Sequence, residues 1–121
     1  MVGTASTREI GDLGERIAEA FLILKGYGIL RRNFRYAGRE IDLLAQKEGK
    51  LIAVEVKLRR GARFGRAAES IDRRKLARIR VALAGALANA RSTLRPRIDV
   101  IVIDMDEGRS EMVVRHIEAV F

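Results

Sequence analysis

Two short aliphatic runs constrain this chain most: Glu40-Ile41-Asp42-Leu43-Leu44-Ala45 and Leu51-Ile52-Ala53-Val54-Glu55-Val56-Lys57-Leu58. Runs of this length and composition, bounded by turn-prone residues, read as strands. Gln46-Lys47-Glu48-Gly49-Lys50 between them is a polar connector with a glycine where positive φ is wanted, so the pair forms a β-hairpin. Side chains alternate faces along a strand, which puts Glu55 and Lys57 on one face and Glu40 and Asp42 on another. A two-residue turn at Glu48-Gly49 sets Asp42 opposite Glu55 and Glu40 opposite Lys57. A three-residue loop instead puts Asp42 and Glu55 on opposite faces.

Charges inside so aliphatic a strand cost several kcal/mol each unless they are paired or bind an ion. A Glu40–Lys57 ion pair at an exposed hairpin edge would contribute little. Leu51-Ile52-Ala53-Val54, however, is too apolar on both faces for an edge strand. Asp42 and Glu55 would then repel unless a cation sat between them. With no histidine or cysteine nearby, the donors suit Mg²⁺ or Mn²⁺ rather than zinc. Such an ion beside Lys57 makes a site for hydrolysing phosphodiesters.

Around the hairpin, Ser6-Thr7-Arg8-Glu9 fits a capping box. Ile10, Leu13, Ile17, Ala20, Phe21 and Leu24 then recur at helical spacing up to a stop at Gly26, giving a first helix over 7–25. Its bulky stripe centres near Leu13 and Leu24. Gly11, Gly14 and Ala18 form a separate small-residue stripe with Glu15 on its border. Glu15 reaches a site only if this small stripe also packs inward; otherwise it is solvated. Residues 27–35 read as a strand with a basic fringe of Arg31, Arg32, Arg35 and Arg39. Residues 59–68 read as a mobile basic loop without the Gly-Lys-Ser/Thr of a P-loop. Asp72 is an N-cap, Ile71 and Leu76 a hydrophobic staple, and a second helix runs to about residue 90. Pro96 breaks the chain before a strand at 98–103, Glu107-Gly108 turns, and 112–117 closes as a strand. The order specifies an α/β sandwich around a mixed sheet.

With 121 residues the chain makes one domain, residues 1–121. It has no cysteine, which removes disulfides, thiolate zinc sites and cysteine nucleophiles. The N-terminus lacks the pattern of a signal peptide and the longest apolar run, 81–88, is too short to cross a bilayer. A soluble, cytoplasmic protein without membrane association is expected. Net charge is +8, and residues 59–80 carry nine Lys/Arg against Glu69 and Asp72. A positive field beside a carboxylate cluster points to nucleic acid, DNA above all. Arg59, Arg60, Arg63, Arg66, Arg73, Arg74, Lys75 and Arg78 are its expected phosphate contacts. Basic residues at the start of the second helix oppose its dipole, an arrangement that a bound phosphate relieves. His116, the single histidine, reads as a structural strand residue. Phe64 either stacks on a base or tucks onto its own domain.

Asp42 followed thirteen residues on by Glu55-Val56-Lys57 resembles the PD-(D/E)XK signature of restriction-endonuclease-like nucleases. Together with Gly11 to Glu15, Ala18, Gly26-Tyr27, 32–35, 38–45, 54–57, Lys75 and 97–100, the chain resembles the YraN-like family of small bacterial predicted endonucleases over nearly its whole length. That family is similar in turn to archaeal Holliday-junction resolvases. The resemblance implies a restriction-endonuclease-like αβββαβ core, a mixed sheet flanked by helices. It implies Asp42 and Glu55 as ligands of Mg²⁺ or Mn²⁺, Lys57 as the catalytic lysine, Glu15 as an assisting acid and Glu40 as a support. A metal-dependent endonuclease acting on branched or damaged DNA is the expected activity, and a homodimer the expected assembly by analogy with the resolvases. The alternatives are a non-catalytic nucleic-acid-binding module and a protein-interaction adaptor on the same fold.

Overall fold

The computed structural model describes residues 6–61, 72–106 and 108–121. Two helices flank a five-stranded mixed sheet: α1 (Thr7–Leu24), β1 (Gly28–Tyr36), β2 (Arg39–Lys47), β3 (Lys50–Arg60), α2 (Arg73–Asn89), β4 (Arg95–Asp106) and β5 (Glu111–Ile117). The strands lie in chain order, antiparallel throughout except for β3 and β4, which run parallel. That single parallel step needs a crossover, and α2 supplies it. This is an α/β fold consistent with a restriction-endonuclease-like core. No helix among the described residues is long and apolar enough to cross a membrane.

Each face of the sheet carries one helix over its own core. Ala18 and Leu22 of α1 cover Leu43, Ala45, Ile52, Val54, Ile101 and Ile103. Ile79, Ala82, Leu83 and Ala86 of α2 cover Ile41, Leu44, Leu51, Ala53 and Ile98. β3 is therefore buried on both sides, as its unbroken aliphatic run requires. Ser6 and Glu9 complete the expected capping box, and Gly26 leaves the helix at φ +91°.

Several boundaries differ from the sequence expectation for non-local reasons. Arg59 and Arg60 belong to β3 rather than to a loop, because the β4 ladder extends to Arg60 opposite Met105. Pro96 sits inside β4, opposite Leu51 and one residue from the strand's start, where a missing N–H is tolerated. On α1 the buried face is rotated towards the small residues: Leu13 and Leu24 are 49% and 87% exposed, Gly14, Ala18 and Leu22 are buried, and Ile17 and Phe21 of the bulky stripe pack at its edge. A bulky face cannot approach the sheet as closely as one built on glycine and alanine. Of the expected loop, Arg63, Phe64, Gly65 and Arg66 lie outside the described residues, as does Ile71 of the staple.

A buried polar cluster ties β4 to β5, to Ala119 beyond it and to Tyr27 after α1. Asp99 takes both guanidinium contacts from Arg97 (2.9 and 2.8 Å), a 2.7 Å contact from His116 Nε2 and the Ala119 amide at 2.9 Å. Burial pushes its carboxyl up, but His116, Arg97 and Ala119 together hold it below the usual range. Arg97 also donates to the Tyr27 hydroxyl at 2.8 Å. His116 is thus the structural residue that its strand context suggested.

α2 approaches the β1–β2 hairpin at Gly85, where an added Cβ would lie 2.6 Å from the Tyr36 ring, including its Cγ. Cγ is not the free end of that side chain, so the helix or the hairpin must shift. Gly85→Ala is expected to destabilise the protein by about 1–3 kcal/mol, overpacking outweighing the gain in helix propensity. Urea unfolding checks this, and a variant as stable as the parent would refute it.

Candidate active site

The β2–β3 turn decides where the charges meet. Glu48 and Gly49 both adopt positive φ, +48° and +75°, the signature of a two-residue type I′ turn. The ladder therefore runs from Lys47 opposite Lys50 to Leu43 opposite Val54, the parity that places Asp42 next in line with Glu55. There the ladder ends. β1 and β2 continue together to Tyr36 and Arg39, and β3 continues with β4, so the sheet opens into a notch with Asp42 at its vertex.

Local backbone irregularity turns Asp42 into that notch. Ile41 packs in the α2-side core and Leu43 in the α1-side core, although residues two apart on a regular strand share a face. Across β1, Asn33 adopts φ +49°. Asp42 Oδ2 accepts a 2.8 Å hydrogen bond from the Val56 amide, taking up a donor that β2 no longer meets through its main chain.

A cleft of about 380 Å³ opens beside this bond. Val56 and Leu58 line it, with Ile10, Gly11 and Glu15 on the α1 side and Arg60 and Lys75 on the other. Gly14 lies against Leu58, its would-be Cβ at 3.4 Å, so the small face of α1 packs inward and carries Glu15 to the cleft. The condition set by the sequence for Glu15 is met. Glu15 also borders a second cleft, of about 470 Å³, that holds Arg8, Arg16 and Arg32.

The carboxyls sense their surroundings strongly. Burial, followed by Asp42, Asp12 and Glu40, pushes Glu15 up to about 7. Burial and the neighbouring Glu55 push Asp42 up to about 7, against the Val56 amide and Lys75. Glu55 is 4% exposed and ion-pairs through Oε2 with the Lys75 ammonium. Burial works against the charge on Lys75, yet Glu55 raises its pKa above the ordinary lysine value.

Other expected site residues are distributed unevenly. Lys57 lies two residues past Glu55 on the α2-facing side of β3, half-buried, with no hydrogen bond or ion pair among the described residues. The ammonium lining the cleft belongs to Lys75, which sequence reasoning took only as a phosphate contact. Glu40 does not meet Lys57: it pairs across the β1–β2 ladder with Arg35 at 3.0 Å. Arg59 is held by Asp104 at 2.7 and 3.0 Å, and Arg115 shares that carboxylate. Arg73, Arg74 and Arg78 are exposed on α2, with Asp72 capping the helix. Arg8 and Arg16, whose spacing on α1 brackets Glu15, are basic residues that the sequence reading did not single out.

The donor set fits a hard divalent ion. Asp42 and Glu55 are oxygen donors sharing one buried corner, where burial first and Glu55 second raise the Asp42 carboxyl. Among the described residues no three acidic or imidazole groups form a ready-made cage. Two carboxylates with water or phosphate oxygens completing the shell is the way Mg²⁺ is commonly held.

A carboxyl raised by folding is stabilising below its unfolded pKa and loses that contribution as pH climbs through the folded value. Asp42→Asn keeps an acceptor for Val56 and removes the charge. In metal-free protein, its stability relative to the parent is expected to grow between about pH 4 and 7, by the order of 2 kcal/mol, and to level off above. Denaturation midpoints in EDTA across that range test this; a difference independent of pH would contradict it.

The sequence model of the uncharacterised protein family UPF0102 matches residues 14–103, which spans Glu15, Asp42, Glu55, Lys57 and Lys75. A UPF0102 protein of Roseiflexus castenholzii is 42% identical over 117 residues, covering 94% of each chain. One from Syntrophomonas wolfei is 39% identical over 109 residues, covering 87% of this chain and 92% of its own. One from Phocaeicola vulgatus is 33% identical over 117 residues, covering 97% and 95%. With the family model matching residues 14–103 and these relatives covering most of the chain, the chain belongs to the uncharacterised protein family UPF0102.

Proposed function

We propose that this protein is a metal-dependent endonuclease that binds DNA and hydrolyses its phosphodiester bonds, with branched or damaged DNA as the substrate. The observation that carries this reading is the convergence of Asp42 and Glu55 at the end of the β2–β3 ladder, beside a cleft with a third acid and a basic rim. A divalent ion held by Asp42 and Glu55 would polarise a phosphoryl oxygen and acidify a water. The Val56 amide fixes the Asp42 carboxylate so that it need not reorganise during the reaction. Glu15, titrating near neutrality, accepts the proton of the attacking water. Lys57, unpaired among the described residues and on the face of Glu55, offsets the charge that develops on the phosphate. Arg73, Arg74 and Arg78 take neighbouring phosphates without reading bases.

One observation favours a second reading. Lys75 already neutralises Glu55, so the pair is stable without an ion, as a nucleic-acid-binding module without turnover would need. Incubation with duplex, single-stranded and branched DNA in Mg²⁺, Mn²⁺ or EDTA separates the two. Cleavage is expected only with metal, reduced at least ~100-fold in Lys57→Ala and abolished in Glu55→Gln. Cleavage that survives EDTA, or is undiminished in Lys57→Ala, would overturn the assignment; binding without products on every substrate would favour the module.

DNA binding carries its own expectation. Arg73→Ala and Arg74→Ala should each weaken affinity for all sequences alike and lower the salt slope by about 1. Fluorescence anisotropy at several salt concentrations measures this, and affinity indifferent to salt would point instead to an acidic protein partner.

A further inference from the structure

Lys75 is the third residue of α2, whose first turn holds no acid, the N-cap Asp72 being turned to the Arg74 amide. The helix dipole there disfavours an ammonium. What holds the side chain is Glu55. The two partners differ sharply in freedom: the Glu55 side chain is 4% exposed and the Lys75 side chain 54%. The acid is fixed inside the notch, whereas the base reaches it from solvent on a flexible stem. An ammonium is a point charge without the directional demands of a guanidinium, so it can leave one oxyanion for another at small cost.

The oxygen that Lys75 occupies belongs to the carboxylate that a divalent ion between Asp42 and Glu55 also requires. Two cations on one buried carboxylate repel. Arg73 and Arg74, exposed beside Lys75, supply the positive surface on which a phosphate would land.

We propose that Lys75 and the divalent ion compete for Glu55, and that a backbone phosphate of the bound polyanion draws Lys75 away, coupling ion binding to polyanion binding. Without polyanion, Lys75 keeps Glu55 neutralised and the ion binds weakly. With polyanion, Lys75 moves to phosphate and Glu55 is released to the ion. By thermodynamic reciprocity, the ion raises polyanion affinity by the same factor. This role rests on the metal-dependent reading above.

The test is Mn²⁺ binding without nucleic acid, read from the electron paramagnetic resonance signal of free Mn²⁺, for the parent chain, Lys75→Met and Lys75→Arg. Lys75→Met should bind about tenfold more tightly than the parent, about 1.4 kcal/mol, and Lys75→Arg, which keeps a cation on Glu55, should bind no more tightly than the parent. The partner measurement is the affinity for a labelled DNA duplex, read by anisotropy before product accumulates, in Mn²⁺ and in EDTA. Mn²⁺ should tighten duplex binding several-fold more in the parent than in Lys75→Met. Mn²⁺ bound by parent and Lys75→Met alike, or more weakly by the variant, overturns the competition and leaves the metal site standing. Equal tightening of duplex binding by Mn²⁺ in both overturns the coupling. No Mn²⁺ binding to either overturns this proposal together with the metal-dependent reading.

Discussion

The 2.8 Å bond from the Val56 amide to Asp42 marks the point where the sheet stops pairing. Up to Leu43 and Val54 the β2–β3 ladder is regular; beyond them one strand follows β1 and the other follows β4. A continuous ladder would have met the Val56 amide with a main-chain oxygen instead of a side chain. The interruption replaces a backbone acceptor with a carboxylate and holds that carboxylate inside the notch. All other features of the site, Glu55 at the base and Glu15 and Lys75 at the flanks, are arranged around this corner.

Both helices reach the corner because of how they pack. α1 lies on the sheet through glycine and alanine, so its axis comes close and Glu15, next to Gly14, arrives at the cleft wall. α2 begins at the same end and presents Lys75. One strand away, on β4 beside Val54, Asp99 is satisfied by Arg97, His116 and the Ala119 amide. A fully satisfied buried cluster stiffens what surrounds it, whereas the Asp42–Glu55 corner carries charge that the protein meets only in part. A fully satisfied acid and a partly compensated pair thus lie on neighbouring strands of one sheet.

The sequence was most readable where structure is local. The turn chemistry of Glu48-Gly49 fixes the parity of Asp42 and Glu55, and the capping box and Gly26 bracket α1; each is settled within a few residues. Pairings between distant segments were less visible. The register of β4 against β3 takes Arg59 and Arg60 out of the loop and admits Pro96 to a strand. Helical periodicity separated two stripes on α1 but could not say which one the sheet would accept, since that depends on how closely the layers approach. Glu40 found Arg35 rather than Lys57 because the two hairpins part at Asp42. Lys75 was legible as a base near phosphates but not as the partner of Glu55, twenty residues away through a crossover.

The type I′ turn also has a kinetic meaning. It brings Asp42 and Glu55 together across a loop of a dozen residues, a closure that costs little chain entropy and belongs to the microsecond regime of hairpins. The parallel β3–β4 pairing must wait until residues 61–94, α2 included, have been folded back, the slower kind of non-local contact. The two acids thus meet while the hairpin is still hydrated and their repulsion is weak. Burial raises the cost of their charge only later, when the helices close over the sheet, and by then the turn has already fixed their separation.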